Sequence, residues 1–352
     1  MKRVVIASGV RSALGSLGDD LSLVLTSHLG SIVIGEAIRR GGINTKDVDE
    51  VLMENVLGIG IGEDFSSYLK SSLGIPNTTG ILITNKASGS SLMLGVLDVA
   101  IGRADIVVVG GMENPSQTNT RGYWILDVHA ELAEFAGQVH GVTRENIDQF
   151  TAESQSKVSR AMSEGRFERE IISVEVPHAG GIPTIFNRDE ILGNLRESVA
   201  VGKAKFSRIA IGAGALVLMS EEKATSLGVV PMANVVAWGT PEARPNNIVM
   251  APSLAIPKVL KEAGLQHGDI DLYEIDEVFA APTVAVIRKL GIDPLSVNVR
   301  GGSLGLGYPF GANAARMLVT LLYTMNDLRV RYGIMSMCIG GRDALSIAVE
   351  RD

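Results

Sequence analysis

Four side chains that could take part in catalysis stand in or beside turns, in a glycine-rich segment or at the end of a predicted strand. Ser88 opens a small-residue turn, Ser88-Gly-Ser-Ser, and Cys338 immediately precedes an Ile-Gly-Gly turn. Tyr308 follows a glycine-rich run (301–307), and Asp276 ends the predicted strand Leu272-Tyr-Glu-Ile-Asp. A hydroxyl, a thiol, a phenol and a carboxyl group are side chains that nucleophilic and acid–base catalysis use.

The ionisation chemistry of these groups limits what each can do. A cysteine thiol, with a reference pKa of about 8.5, readily becomes a thiolate at a helix N-terminus, whereas a serine hydroxyl needs a positioned base. Tyr308 is expected to donate to a carbonyl and to be a poor base, because the reference pKa of tyrosine is about 10. Asp276 would repel a developing oxyanion if ionised and could donate to it if buried and protonated.

No histidine lies within the turns that carry these four groups. Each of the five is expected to be a surface or loop residue, and a substrate contact stays open for the second and third of them. They are His28, His129, His140, His178 and His267.

Part of the chain repeats, which indicates a duplicated architecture. Residues 34–49 align without a gap with residues 256–271, and each copy reads as an amphipathic helix that ends at a glycine and leads into a strand. Three further matches follow in the same order: 73–76 with 290–293, 88–94 with 311–318, and 105–111 with 333–341. Two similar α/β halves are therefore predicted. The helix starts near Ser88 and Gly311 are expected to face one crevice.

The stretch between the halves has a different character. It is richer in charged helical segments, and Thr143 is a plausible N-cap for one of them. We interpret it as an insertion that carries a lid or substrate-facing loops. The apolar strand 213–219 then returns to the first core.

Composition excludes several classes of function. Hydrophobic residues make up 46% of the 352 residues and the net charge is −7, so a large core is expected and the basic surface needed for nucleic acid or an anionic membrane is missing. No apolar run is long enough for a membrane span. Cys338 is the only cysteine, which rules out an internal disulfide and leaves a cytoplasmic location as the default.

Six segments resemble the motifs of the thiolases, within the thiolase/ketoacyl synthase superfamily, in order along the whole chain. They are Asn85-Lys-Ala-Ser-Gly-Ser, Val109-Gly-Gly-Met-Glu-Asn, Val217-Leu-Met-Ser-Glu-Glu-Lys-Ala, Asp276-Glu-Val-Phe-Ala-Ala, Asn298-Val-Arg-Gly-Gly-Ser-Leu-Gly-Leu-Gly-Tyr-Pro-Phe-Gly-Ala and Cys338-Ile-Gly-Gly. The resemblance implies an α/β fold whose duplicated ββαβαβαββ halves pack as a five-layer α-β-α-β-α core. It divides the chain into an N-terminal half (1–112 plus 208–228), an inserted loop domain (113–207) and a C-terminal half (229–352).

The resemblance also assigns roles, and three of its four catalytic positions have changed. Ser88 stands in the place of the acylated cysteine, Tyr308 in that of a histidine and Asp276 in that of an asparagine, while Cys338 retains the second cysteine. An engineered trap would explain Ser88 alone, so natural divergence is favoured. Cys338 has an alternative reading as a small buried residue. Ser207 aligns with a serine that contacts the coenzyme A arm, or is an ordinary loop serine.

The implied function is an acyl-CoA acyltransferase that condenses thioesters or cleaves a 3-oxoacyl-CoA, with the coenzyme A thioester as substrate and no resident cofactor or metal. The alternative is a catalytically inactive subunit that binds acyl-CoA or supports an active partner, and a third possibility is changed chemistry in the same pocket. The resemblance further implies a homodimer, or a heteromer with another thiolase-type subunit or a small zinc-binding partner. The strand that begins Ile81-Leu-Ile-Thr would lie at the dimer interface.

Overall fold

The computed structural model describes residues 1–58, 65–75, 79–84, 88–117, 123–178, 180–190, 200–201, 204–339 and 343–351. The strands within these ranges are β1 (Val4–Ser12), β2 (Glu50–Asn55), β3 (Thr79–Thr84), β4 (Ile106–Glu113), β5 (Ile171–Ile172), β6 (Val174–Val176), β7 (Thr184–Phe186), β8 (Ala200–Val201), β9 (Ala204–Lys205), β10 (Gly212–Ser220), β11 (Ala233–Gly239), β12 (Leu272–Ile275), β13 (Tyr332–Ile339) and β14 (Asp343–Glu350). The helices are α1 (Thr26–Arg40), α2 (Phe65–Leu73), α3 (Ser90–Ala100), α4 (Tyr123–Val139), α5 (Arg144–Ser163), α6 (Glu221–Leu227), α7 (Pro252–Ala263), α8 (Ala280–Leu290), α9 (Ser303–Leu306) and α10 (Asn313–Leu328).

The main strands form one continuous ladder that is divided between the two halves of the chain. Its order is β12-β13-β14-β11-β1-β10-β4-β2-β3, and the short β5 also pairs with β1. The halves meet where β1 and β11 run antiparallel over three residue pairs, from Val4 opposite Val235 to Ile6 opposite Ala233. Each half therefore contributes its own stretch of the sheet.

Alternation along the strands of the main sheet divides their apolar side chains among the three largest apolar clusters of the described residues. In β4, Ile106 and Val108 pack in the cluster that contains α1, whereas Val107 and Val109 pack in the cluster that contains α3 and α10. The second cluster also contains the apolar side chains on one face of β13 and β14. The side chains on the opposite face of β13 pack against α7 and α8. Because successive side chains of a strand point to opposite faces, the layers follow the order helix, sheet, helices, sheet, helices. The five-layer α/β fold is confirmed.

Two aspartates at equivalent positions of the repeat accept the same pair of backbone hydrogen bonds, which shows the duplication in the structure. Asp49 Oδ2 accepts from the backbone amides of Asp105 and Ile106, at 2.8 and 2.9 Å, where β4 begins. Asp271 Oδ2 accepts from the amides of Arg331 and Tyr332, at 3.0 and 2.8 Å, where β13 begins. Each carboxylate thus fixes the start of the central strand of its half.

The two halves differ in one strand. The first half runs β1-α1-β2-α2-β3-α3-β4-β10, which is one strand fewer than the ββαβαβαββ order expected from the resemblance. In the second half, the position that corresponds to β3 holds only an isolated bridge between Tyr273 and Val297. These counts refer to the described ranges.

The inserted segment packs against both halves through helices and buried charges. Thr143 caps α5, as predicted: its Oγ1 accepts from the Asn146 amide at 3.3 Å, and Asn146 Oδ1 accepts from the Thr143 amide at 3.1 Å. The buried Arg11 of β1 binds Glu170 and Asp189 of the insertion at 2.7 Å each. The three domain boundaries given above stay a prediction. Among the described helices, none is long and apolar enough to cross a membrane.

Candidate active site

The four candidate groups stand where helix starts of both halves meet two strand ends. Ser88 lies just before α3, and Tyr308 lies just before the turn 310–312 that enters α10. Asp276 follows β12, and Cys338 is the penultimate residue of the neighbouring parallel strand β13. The two helix starts lie together, as expected, and are joined by a direct hydrogen bond described next, while the crevice between them stays a prediction.

Ser88 joins the two halves through its side chain. It is fully buried, and its Oγ donates to the Gly311 carbonyl at 3.0 Å and accepts from the Ala314 amide at 2.7 Å. A hydroxyl has one proton to donate, and in this arrangement that proton is already bonded to a backbone carbonyl. The two hydrogen bonds of Ser88 therefore join the start of α3 to the first turn of α10.

Glu54 is a buried carboxyl beneath the Ser88 turn that the motifs did not reveal. Its oxygens accept from the amides of Gly89, at 2.9 and 3.0 Å, and Ser91, at 2.6 Å, which are free donors of the α3 N-terminus. Burial raises the pKa of Glu54 to about 8, against the lowering effect of these bonds. The signal in the sequence was a glutamate inside an otherwise apolar strand.

Glu113 occupies the equivalent place below the start of α10. It ends β4 and accepts from the amides of Val56 at 2.9 Å and Gly311 at 3.2 Å. Burial raises the pKa of Glu113 to about 7, and its charge contributes to the raised pKa of Glu54. Two carboxyls of the N-terminal half thus occupy the amide donors of both helix starts.

Asp276 is half-buried and held from two sides. Its Oδ1 accepts from Asn313 Nδ2 at 3.1 Å, and its carboxyl also accepts from the Val278 amide. Burial raises the pKa of Asp276 to about 6, while nearby Arg316 opposes the rise. A pKa of about 6 lies close to neutral pH, so the carboxyl can both take up and release a proton there.

Cys338 is half-buried beside Asp276. Its Sγ donates to the Ile248 carbonyl at 3.1 Å. Burial raises the pKa of the Cys338 thiol well above its usual range, and the negative charge of Asp276 raises it further. The thiol is protonated at neutral pH and needs a base for reaction.

Tyr308 is buried next to both of these groups. Its ring contacts Phe310 edge-on, with centroids 5.4 Å apart. Burial raises the pKa of Tyr308, and the charges of Asp276, Cys338 and Glu54 raise it further. Tyr308 is thus a protonated donor, the state predicted from its residue type.

The remaining candidates lie as follows. Ser207 is buried, and its Oγ donates to the Glu277 carbonyl at 2.6 Å, next to Asp276. His178 and His267 bond to the neighbouring side chains of Thr184 and Tyr273. The residues before Ser88 in its motif (85–87) and the glycines after Ile339 (340 and 341) lie outside the described residues. Within the described ranges, no group of three or more acidic, histidine or cysteine side chains is placed to hold a metal ion.

Comparisons with known proteins agree with this architecture over the whole chain. The family model "Thiolase, N-terminal domain" matches residues 4–127 and 126–222, and "Thiolase, C-terminal domain" matches residues 229–351. The chain is 35% identical over 393 aligned positions to an acetyl-CoA acetyltransferase from Allochromatium vinosum, with 99% of each chain covered. It is 34% identical to a probable acetyl-CoA acyltransferase from Staphylococcus aureus, with 100% of each covered.

Solved structures give the same result. The fold matches the human mitochondrial 3-ketoacyl-CoA thiolase with a TM-score of 0.90, at 26% identity over 99% of this chain and 98% of that one. It matches the Bacillus anthracis acetyl-CoA acetyltransferase with a TM-score of 0.91, at 27% identity over 99% of both chains. The duplicated layers, the adjoining helix starts of the two halves and the full-length matches lead to one conclusion: the chain belongs to the thiolase family.

Proposed function

We propose that the protein is a thiolase-type acyl-CoA acyltransferase in which Cys338, and not Ser88, forms the covalent bond with the acyl group. The observation that carries this proposal is the difference in exposure between the two candidates, because both donate their proton to a backbone carbonyl, Ser88 to Gly311 and Cys338 to Ile248. The Ser88 hydroxyl is fully buried with its proton bonded to Gly311, whereas Cys338 is half-buried and lies beside the carboxylate of Asp276. The names of the relatives, acetyl-CoA acetyltransferase and probable acetyl-CoA acyltransferase, support the reaction class.

In the first half-reaction, Cys338 Sγ attacks the thioester carbonyl carbon of an acyl-CoA while Asp276 accepts the thiol proton. A base with a pKa near 6 suits general base catalysis near neutral pH, because it is mostly ionised and still able to return the proton. The carbon–sulfur bond to coenzyme A then breaks, and its thiolate takes the proton from Asp276. The products are acylated Cys338 and free coenzyme A.

In the second half-reaction, Asp276 removes the α-proton of a second acyl-CoA. The resulting carbanion attacks the acyl carbon on Cys338, a carbon–carbon bond forms, and the Cys338 thiolate leaves and recovers its proton from Asp276. The reverse sequence cleaves a 3-oxoacyl-CoA with coenzyme A. Tyr308, held protonated by burial, donates to the carbonyl oxygen on which negative charge develops.

A second candidate function is a non-catalytic thiolase-type subunit that binds acyl-CoA or supports an active partner. The specific observation that favours it is the raised pKa of the Cys338 thiol together with the bonded hydroxyl of Ser88. In this case the crevice would keep its shape and bind the thioester without forming a covalent bond.

Release of free thiol from a panel of acyl-CoAs of increasing chain length distinguishes the two. The proposed enzyme releases coenzyme A with wild-type protein and loses that activity in Cys338→Ala and Asp276→Asn, with the exposed Ser226→Ala as a control variant that should keep it. Binding of acyl-CoA without any thiol release across the panel would support the non-catalytic subunit and reject the enzyme.

We also propose that β3 pairs with another thiolase-type chain. This strand lies at the end of the described ladder and is bonded there to β2 alone, and its partly buried residues from Ile81 to Thr84 are mainly apolar. An open apolar edge strand is a template for pairing with a second chain. Sedimentation of wild-type protein against Leu82→Lys tests this: the wild type should be a dimer and the variant should dissociate, and a monomeric wild type would reject the proposal.

A further inference from the structure

We propose that Arg316 is a positioning residue for the reaction: through Asn313 it fixes the carboxyl group of Asp276 and supplies the positive charge that this carboxyl faces. The inference rests on the proposed function, because it concerns the group that acts there as base. Arg316 lies one turn into α10 and is 1% exposed, so the helix carries its charge into the interior next to the site.

The contacts form a chain from the guanidinium to the carboxyl. Arg316 Nη2 donates to Asn313 Oδ1 at 2.8 Å, and Asn313 Nδ2 donates to Asp276 Oδ1 at 3.1 Å. Because a side-chain amide has one carbonyl oxygen and one NH2 group, the bond from Arg316 determines which end of Asn313 faces Asp276. Ser303 Oγ also lies 3.3 Å from Asn313 Oδ1 and accepts from Arg316 at 3.0 Å, which completes the cradle.

An ordinary buried ion pair does not account for the burial of the charged Arg316 side chain. Its nearest carboxylate contact is Glu274 Oε2, 4.0 Å from Nη1, and burial raises the pKa of Glu274 to about 8. Nε and Nη1 of Arg316 have no hydrogen-bond partner among the described residues. A fully buried guanidinium with two unused donors is costly unless its charge serves another group. The charge of Arg316 acts on Glu274, Asp276 and Glu277, and among these Asp276 is the one that the hydrogen-bond chain through Asn313 joins to it.

Several other groups affect the charge at Asp276. On its own segment, Glu277 adds negative charge and the Val278 amide donates to it. Cys338 of β13 and Tyr308 before α10 interact with it electrostatically. Arg316 opposes the rise in the pKa of Asp276 that burial and Glu277 cause, and the hydrogen bonds from Asn313 and the Val278 amide act in the same direction as Arg316. Its removal should therefore leave Asp276 protonated to higher pH.

The first test is the pH dependence of coenzyme A release by Arg316→Gln, Arg316→Lys and Asn313→Ala. We expect the acidic limb of the Arg316→Gln profile to move up by about one pH unit, so that the rate near pH 6 falls roughly fivefold while the rate above pH 8 changes much less. Arg316→Lys keeps the positive charge, so its acidic limb should lie close to that of the wild type. Arg300→Gln is the matched control: Arg300 is also buried, and it bonds to Asp327 and the Arg166 carbonyl. A uniform loss of rate with an unmoved limb would overturn the inference.

The second test does not need catalysis, so it separates a failure of this inference from a failure of the proposed function. The difference in unfolding free energy between wild-type protein and Asp276→Asn is measured by denaturant titration from pH 4.5 to 8, in the Arg316 and in the Arg316→Gln background. In the first background this difference should level off near pH 6, and in the second about one pH unit higher. If the levelling point is the same in both backgrounds, Arg316 has only a structural role.

Discussion

The Oγ atom of Ser88 accepts a hydrogen bond of 2.7 Å from the Ala314 amide, 226 residues later in the chain. This bond connects the turn before α3 with the first turn of α10, so the two halves are joined at the helix starts. The same Oγ donates to the Gly311 carbonyl. The position that the resemblance assigns to the nucleophile is therefore used here to hold the halves together.

The first prediction concerns stability at this joint. Ser88→Ala leaves a buried amide and a buried carbonyl without their partner, and we expect the free energy of unfolding to fall by about 2–4 kcal/mol. Chemical denaturation measures it. Ser226→Ala, an exposed serine that bonds only to Lys223 within its own helix, should change stability by less than about 0.5 kcal/mol. A Ser88→Ala protein as stable as the control would show that the bond contributes nothing.

The second prediction concerns the base. With Asp276 as the proton acceptor, the rate of coenzyme A release should rise with pH through about 6, the pKa of that carboxyl, and then become constant. Asp276→Asn should lower the rate by about 10²–10⁴-fold and abolish the acidic limb. Steady-state rates from pH 5 to 8 measure both effects. An unchanged limb in Asp276→Asn would assign it to another group.

The third prediction concerns the carboxyls under the helix starts. Burial raises the pKa values of Glu54 and Glu113 to about 8 and 7, above their unfolded values, so the folded protein binds more protons than the unfolded chain. Their contribution to stability is complete below about pH 4.5 and is lost as the pH rises toward 8. Glu54→Gln should therefore flatten the fall of the unfolding free energy with pH by ~1 kcal/mol per pH unit over part of that range.

The control for this pH experiment is Glu36→Gln. The pKa of Glu36 is lowered to about 2 by its bonds to Arg39 and Arg40, so its contribution changes only at acidic pH. Above pH 5 the slope of this variant should match that of the wild type. If Glu54→Gln also keeps the wild-type slope, Glu54 titrates normally in the folded protein.

The fourth prediction concerns the attachment of the insertion. Asp189 binds both terminal nitrogens of Arg11, at 2.7 and 2.8 Å, and accepts from the Leu14 amide at 2.8 Å. Asp189→Ala leaves a buried guanidinium with one partner fewer, and we expect a loss of about 3–5 kcal/mol. Asp148→Ala, which removes an exposed pair with Arg144, should cost about 0.5 kcal/mol or less. Equal losses in the two variants, measured by thermal or chemical unfolding, would contradict this account.

The architecture could be predicted from the sequence because the repeat consists of local patterns of apolar residues and glycines. The glycine that ends α7, Gly264, has φ 69°, a backbone state that glycine adopts freely, and the apolar spacing before it predicted the helix. The matched pair Asp49 and Asp271 was visible as an identity, although its role in starting β4 and β13 needed coordinates.

The electrostatics of the site could not be predicted from the sequence. The state of Asp276 depends on Asn313 and Arg316, 37 and 40 residues away along the chain, and no spacing rule connects them. Glu54 was not recognised because a charged residue in a strand gives no indication that the helix amides of Gly89 and Ser91 lie over it. The hydrogen bond from the Ser88 hydroxyl to the Gly311 carbonyl could not be predicted either, because it is a contact between the two halves.

The measurement that tests the central claim most directly is the intact mass of the protein after incubation with acyl-CoA, for wild type, Ser88→Ala and Cys338→Ala. The account predicts one acyl adduct, with one coenzyme A released, in wild type and Ser88→Ala, and none in Cys338→Ala. An adduct that is lost in Ser88→Ala and kept in Cys338→Ala would contradict it and establish a serine enzyme. The absence of any adduct, with acyl-CoA bound, would make the chain a non-catalytic member of the family.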